Sequence, residues 1–133
     1  MNIFVDTSAL LALLDRSDIS HALAGRIWQR LIEEKHKLFT TNYVLLETAS
    51  LLQSRIGIDA VQELQSSIAP LLEPIWIGKE LHDSSMQAVL LANLRRLSVV
   101  DCSSIIVARQ SGIVHFFAFD RHFTQRGFTC LPG

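Results

Sequence analysis

Cysteine, proline and glycine are all scarce in this chain, with two, three and six of them among 133 residues. The two cysteines, Cys102 and Cys130, form no CxxC pair and no disulfide framework. That excludes a disulfide scaffold, fits a reducing compartment, and leaves both thiols as small core hydrophobes. Long hydrophobic runs are missing too: the longest wholly apolar stretch is Ala9 to Leu14, far short of the ~20 residues that cross a bilayer. No membrane span is expected. The first residues, Met-Asn-Ile-Phe-Val-Asp, lack a basic segment and meet an acid at Asp6, so no secretory signal is read there and a cytoplasmic location is expected. Charge of one sign is also lacking, since 12 Lys+Arg against 13 Asp+Glu leave a net −1. Such a balance lacks the strong basic stripe of many nucleic-acid binders. It is unevenly placed, however: residues 1–94 hold seven basic and eleven acidic side chains, residues 95–133 five arginines and two aspartates. No linker, internal repeat or low-complexity segment interrupts the chain, and GxSxG, P-loop, GxGxxG and HExxH are absent. Hydrolase-triad, nucleotide-binding and zinc-protease chemistries therefore have no foothold.

What the chain does contain is apolar residues, 49% of the total. That is too many for disorder, and the length suits one domain over residues 1–133 with a core of its own. Short β-prone runs alternate with helix-periodic stretches. Residues 2–5, 38–41, 74–77 and 113–119 read as strands, with 128–131 as a further edge strand. Between them, helices are predicted over 9–14, 20–37, 43–53, from Asp59 toward Pro70, 79–96 and 101–111, with a short one within 120–127. Gly57 ends one helix and Asp59 caps the next. The run Ile113–Phe119 is apolar almost throughout, as a strand buried on both faces is. The pattern predicts a three-layer α/β/α fold around a mostly parallel sheet of four to five strands.

Four acids stand at the boundaries of these elements: Asp6, Glu47, Asp101 and Asp120. Asp6, Asp101 and Asp120 each suit a helix cap taken singly. Glu47 lies inside its helix, about 40° from Leu51 and 60° from Val44, on the rim of the apolar arc. In a doubly wound parallel sheet the carboxyl ends of all strands share one edge, so residues distant in sequence converge there. Carboxylates gathered within a few ångströms repel by roughly 4 kcal/mol per pair at 4 Å and an effective dielectric near 20. Either some of them hold protons or hard divalent cations lie between them. An all-oxygen set suits Mg²⁺ or Mn²⁺ rather than zinc, and such ions support phosphodiester hydrolysis.

The segments Phe4-Val-Asp6-Thr-Ser-Ala-Leu10, Asn42-Tyr-Val-Leu-Leu-Glu47-Thr, Val99-Val-Asp101-Cys-Ser-Ser-Ile-Ile-Val-Ala108 and Phe117-Ala-Phe-Asp120-Arg-His-Phe123 resemble, in order, the four acidic motifs of the PIN-domain nucleases, in particular the VapC-type toxins. The resemblance covers essentially the whole chain. It implies a metal-dependent ribonuclease with Asp6, Glu47, Asp101 and Asp120 as catalytic and metal-holding acids and Mg²⁺ or Mn²⁺ as cofactor. It also implies an RNA substrate, an antitoxin partner and a homodimer. Thr7 or Ser8 is expected near metal or phosphate, and Arg121, His122 and Arg126 are candidates to hold RNA phosphates. Ser104, one turn beyond Asp101 on the same face, could bond that acid or a metal-bound water. Cys102 is bulkier than the alanine often found at its position in the family, and the tail after Asp120 is short.

Competing readings are weaker. A phosphatase of the haloacid-dehalogenase type needs a second acid where Ser8 stands, and the acidic pair of response regulators is missing. A non-catalytic module of PIN-like fold that docks RNA or protein would keep its acids only as caps. A housekeeping RNA-processing nuclease would carry the same motifs as a toxin. The leucine-rich stretch from Tyr43 to Leu72 offers apolar surface for a partner or a second copy.

Overall fold

Ile3, Phe4 and Val5 are all fully buried although their side chains alternate between faces. Only a strand covered by helices on both sides permits that. In the computed structural model, which describes residues 1–132, they belong to β1 (Asn2–Val5), the centre of a five-stranded sheet. The others are β2 (Lys37–Thr41), β3 (Glu73–Ile75), β4 (His115–Phe117) and β5 (Thr129–Leu131), ordered β3-β2-β1-β4-β5 with every pairing parallel. The chain steps outward from β1 to β2 and β3, then returns to lay β4 and β5 on the other side. The order therefore reverses between β1 and β4, and the carboxyl ends of those two strands open a crevice there.

Helices α1 (Thr7–Leu14), α2 (His21–Glu33), α3 (Asn42–Arg55), α4 (Ile58–Glu63), α5 (Lys79–Ala92), α6 (Val99–Gln110) and α7 (His122–Gln125) supply the crossovers. The three-layer α/β/α expectation holds. α3 is fixed at its start by Thr41, whose hydroxyl accepts the Val44 amide, and by Asn42, whose side chain bonds both the N–H and the C=O of Ile77. β4 and α7 share an aromatic cluster in which the Phe116 ring lies 4.9, 4.5 and 4.6 Å from those of Phe4, Phe123 and Phe128. Phe123, fully buried, pins the segment that follows Asp120. Among the described residues no helix is long and apolar enough to cross a membrane.

Several boundaries differ from the sequence reading. The fourth strand is three residues rather than seven, because Ile113 donates back to Ala108 to close the α6 C-terminus and Phe119 turns its N–H to Ser8. The predicted helix 79–96 stops at Ala92, where Asn93 takes the left-handed conformation at φ 51°. Asp59 does not cap α4. The cap position is Gly57 at φ 131°, open to glycine and strained for other residues, and Asp59 lies in the first turn, beside the positive end of the helix. Pro70 does not simply end that helix either, which passes through a π turn (Leu64–Ile68) and a 3₁₀ turn (Ala69–Leu71) before β3.

Candidate active site

Asp6 is the first residue beyond β1, and its amide donates to Phe117 O of β4 at 3.0 Å. Its side chain caps α1: Oδ2 accepts the Ser8 amide at 3.0 Å and the Ser8 hydroxyl at 2.7 Å. Ser8 Oγ in turn accepts the Phe119 amide at 2.9 Å. One hydroxyl thus ties the carboxyl ends of β1 and β4 together and holds Asp6 and Asp120 on the same rim. The capping role and the site role of Asp6 coincide.

Asp101 arrives from the first turn of α6. Ser98 and Asp101 form a reciprocal capping box at the start of α6, with Ser98 Oγ accepting the Asp101 amide at 3.0 Å and Asp101 Oδ2 accepting the Ser98 amide at 3.1 Å. Asp120 Oδ1 accepts the His122 amide at 2.9 Å, and His122 Nε2 lies 3.6 Å from the same oxygen. Asp101, Asp120 and His122 each present a ligand atom within 4.8 Å of the others. Glu47, half-buried on α3, faces Thr7 and is close enough to Asp101 to feel its charge.

Protonation follows from this crowding. Burial raises the Asp6 carboxyl to about 7, against the opposing bonds from Ser8, and the charges of Asp101 and Asp120 push the same way. Burial also raises Glu47, with the Thr7 hydroxyl opposing and Asp101 adding, and raises Asp101 against its bonds to Ser98. Three neighbouring acids shifted in one direction mark a site that binds protons or cations more readily than ordinary carboxylates do.

Two buried hydroxyls support a cation there. Ser104 Oγ, 0% exposed by residue, has no hydrogen-bond partner, and Thr7 Oγ1, 6% exposed, faces the Glu47 carboxylate without a hydrogen bond of ordinary geometry. Thr7 follows Asp6 directly, and Ser104 stands one helical turn beyond Asp101. An orphaned buried hydroxyl costs about 1–3 kcal/mol unless a water or an ion's hydration shell satisfies it. The donor set is carboxylate and hydroxyl oxygens with one imidazole, and it fits a hard divalent cation such as Mg²⁺ or Mn²⁺.

The structure thus brings Asp6, Glu47, Asp101 and Asp120 to one edge, with Thr7, Ser8 and His122 beside them. Arg121 and His122 line an open depression of about 500 Å³ with Ser8, Phe119, Asp120, Gln125 and Arg96. Arg126 does not join it. Its guanidinium donates to the His122 carbonyl at 3.1 Å and lines a different hollow with Cys102 and Arg109. Two participants were missed in the sequence. Ser98 was legible as the first residue of a Ser-x-x-Asp box, whereas Arg96 sits in a connection without periodicity and is placed only by the fold. A more enclosed, apolar hollow of about 290 Å³ beside α2, between Met1, Ile27, Leu31 and Leu131, contains none of these acids.

A doubly wound parallel sheet with a carboxylate cluster at its switch point defines a class, the α/β domains that present acidic, cation-binding sites at the carboxyl edge. The chain belongs to the PIN domain family, whose model matches residues 3–128. It is 32% identical over 127 residues to the 23S rRNA-specific endonuclease VapC20 of Mycobacterium tuberculosis, covering 95% of each chain. A VapC ribonuclease of Aquifex aeolicus is 23% identical over 124 residues, 93% of this chain and 91% of that one. The crystal structure of the mycobacterial VapC20, described as a sarcin-ricin loop cleaving toxin, superposes with a TM-score of 0.84 at 30% identity over 96% of both chains.

Proposed function

We propose that the protein is an endoribonuclease that hydrolyses RNA phosphodiester bonds with a divalent cation, Mg²⁺ or Mn²⁺, and acts as the toxin of a toxin–antitoxin pair. The observation that carries the reading is the convergence of Asp6, Glu47, Asp101 and Asp120 on one rim, three of them with raised affinity for protons. Family membership and the ribonuclease activity named for both curated relatives support it. Asp6, Asp101 and Asp120 would hold the cation, with Glu47 beside them and His122 as a further donor. The chemistry such an ion supplies is Lewis acidity that makes water a better nucleophile and offsets charge on phosphate.

The chain's own residues do the rest. Ser8 holds the Asp6 oxygen, Ser98 holds that of Asp101, and the His122 amide holds that of Asp120. Each carboxylate is oriented before substrate arrives, so little reorganisation remains for the reaction. The proton that Asp6 holds near neutral pH must leave before the cation is held fully, so activity rises with pH through the region near 7.

For partners, we propose a homodimer and a small antitoxin. The support is exposed apolar surface: Trp76, Leu90 and Leu91 are 73%, 74% and 86% exposed. They lie on and before α5, and within the Tyr43–Leu72 stretch that the sequence suggested Leu46 and Ile58 are 69% and 64% exposed as well. Light scattering should give about twice the 14.9 kDa chain mass, and a monomer at every concentration refutes the dimer.

The test of the activity is cleavage of purified ribosomal and total RNA with Mg²⁺ or Mn²⁺, with EDTA, and with Asp6→Asn or Asp101→Asn. Discrete cuts by the wild type that are lost in EDTA and in both variants support the reading. RNA bound but left intact by all three proteins supports a non-catalytic binding module instead.

A further inference from the structure

Beside the acid cluster the depression of about 500 Å³ is lined by both acidic and basic side chains. Its lining combines Asp120 and His122 with Arg96 from the α5–α6 connection, Arg121, Gln125 and Phe119. Arg96 and Arg121 are exposed, and among the described residues no carboxylate oxygen lies within 4.0 Å of either. Their guanidinium donors are also absent from every hydrogen bond within the chain, in contrast to Arg109 and Arg126, which bind backbone carbonyls. Two cations beside several acids, paired with none of them, are free to meet an anion from outside. Phe119 is half-buried, braced edge-to-face by Phe117 at 6.0 Å between ring centroids and by the bond from its amide to Ser8. A braced aromatic face beside free guanidinium groups suits a nucleobase and its phosphate together.

We propose that this depression is the subsite for one unpaired nucleotide next to the bond that is cut, with Arg96 holding its phosphate and Phe119 stacking on its base. The proposal rests on the RNA-cleaving reading above and adds to it two residues that position the substrate. A base inside an A-form duplex stacks on its neighbours and cannot lie on Phe119, so these contacts serve an unpaired nucleotide. Arg121 also lines the depression and adds positive charge. Arg95, the neighbour of Arg96, does not line the depression.

Two measurements test this. The first is anisotropy of a short fluorescein-labelled single-stranded RNA of mixed sequence, in the Asp6→Asn background with Mg²⁺ across a salt series. The second is steady-state cleavage in the wild-type background. Arg96→Ala should weaken binding about tenfold and reduce the slope of log K against log salt by about 0.7, the loss of one phosphate contact on a single strand. In cleavage it should raise KM by a similar factor and leave kcat within about twofold. Arg96→Lys should restore the salt slope. Phe119→Leu should weaken single-strand binding about fivefold or more without changing the slope, and should not affect binding of a fully paired duplex. Arg95→Ala should change neither measurement by more than about twofold. If the wild type cuts RNA while Arg96→Ala behaves like Arg95→Ala, or Phe119→Leu changes nothing, the subsite is wrong and the nuclease reading stands. If the wild type neither binds nor cuts RNA, both fall.

Discussion

Replacing Asp6 with asparagine should stabilise the cation-free protein at alkaline pH, an unusual outcome for a residue at the heart of a site. Asp6 is 3% exposed and its carboxyl is raised from 3.8 to about 7, mostly by burial. The folded protein therefore binds this proton more tightly than the unfolded chain, and folding takes up a proton between those values. Stability from this group is present in full below 3.8 and is lost as pH rises through about 7. At 1.36 kcal/mol per pH unit, the whole window corresponds to about 4 kcal/mol, and the part between pH 5 and pH 8 to about 3 kcal/mol. Asparagine keeps an oxygen to accept from Ser8 and carries no charge to desolvate, and its presence also relieves Asp101 and Asp120 of a like neighbour. Urea unfolding of both proteins in EDTA at pH 5, 6, 7 and 8 measures the effect. Wild type should lose about 3 kcal/mol more than Asp6→Asn across the series. Parallel curves for the two would refute the claim that Asp6 is held above its ordinary range by the fold.

Further outcomes follow from the same geometry. Mg²⁺ at a hundredfold over its Kd should stabilise the wild type by about 2.7 kcal/mol at pH 8, and much less at pH 5, where protons compete for the acids; Asp101→Asn should abolish the effect in thermal melts. Ser8→Ala leaves the Phe119 amide without its partner and Asp6 with one bond fewer, and should cost about 1–3 kcal/mol in urea unfolding together with a fall in kcat. Phe116→Ala, at the centre of the aromatic cluster, should cost about 3–5 kcal/mol by the same measurement.

The parts of the molecule legible in the sequence were those governed by local pattern. Strand β1 could be read from Ile3-Phe4-Val5, and each of the four acids could be placed at the end or rim of an element. Parallel topology then forces Asp6 and Asp120 onto one edge, because both follow strands that run the same way. Long-range information was less visible. Strand β4 was overread because Ile113 and Phe119 are as apolar as strand residues, yet their amides answer to Ala108 and Ser8. Arg126 looked like a free phosphate ligand until its guanidinium was found on the His122 carbonyl. Arg96 had no local signal, since only the packing of α5 on α6 carries that connection to the mouth of the β1–β4 crevice. His122 was placed near substrate, and its position within reach of Asp101 and Asp120 depends on Phe123 anchoring α7.

The central claim, that four separated acids act as one cation site, is tested most directly by anomalous diffraction from crystals soaked in Mn²⁺ at pH 8. The account predicts an anomalous peak bounded by Asp6, Asp101 and Asp120, with Glu47 or His122 beside it and the Thr7 and Ser104 hydroxyls within reach of its hydration shell. A map with no peak at that edge, from crystals of protein that still cuts RNA, would contradict it.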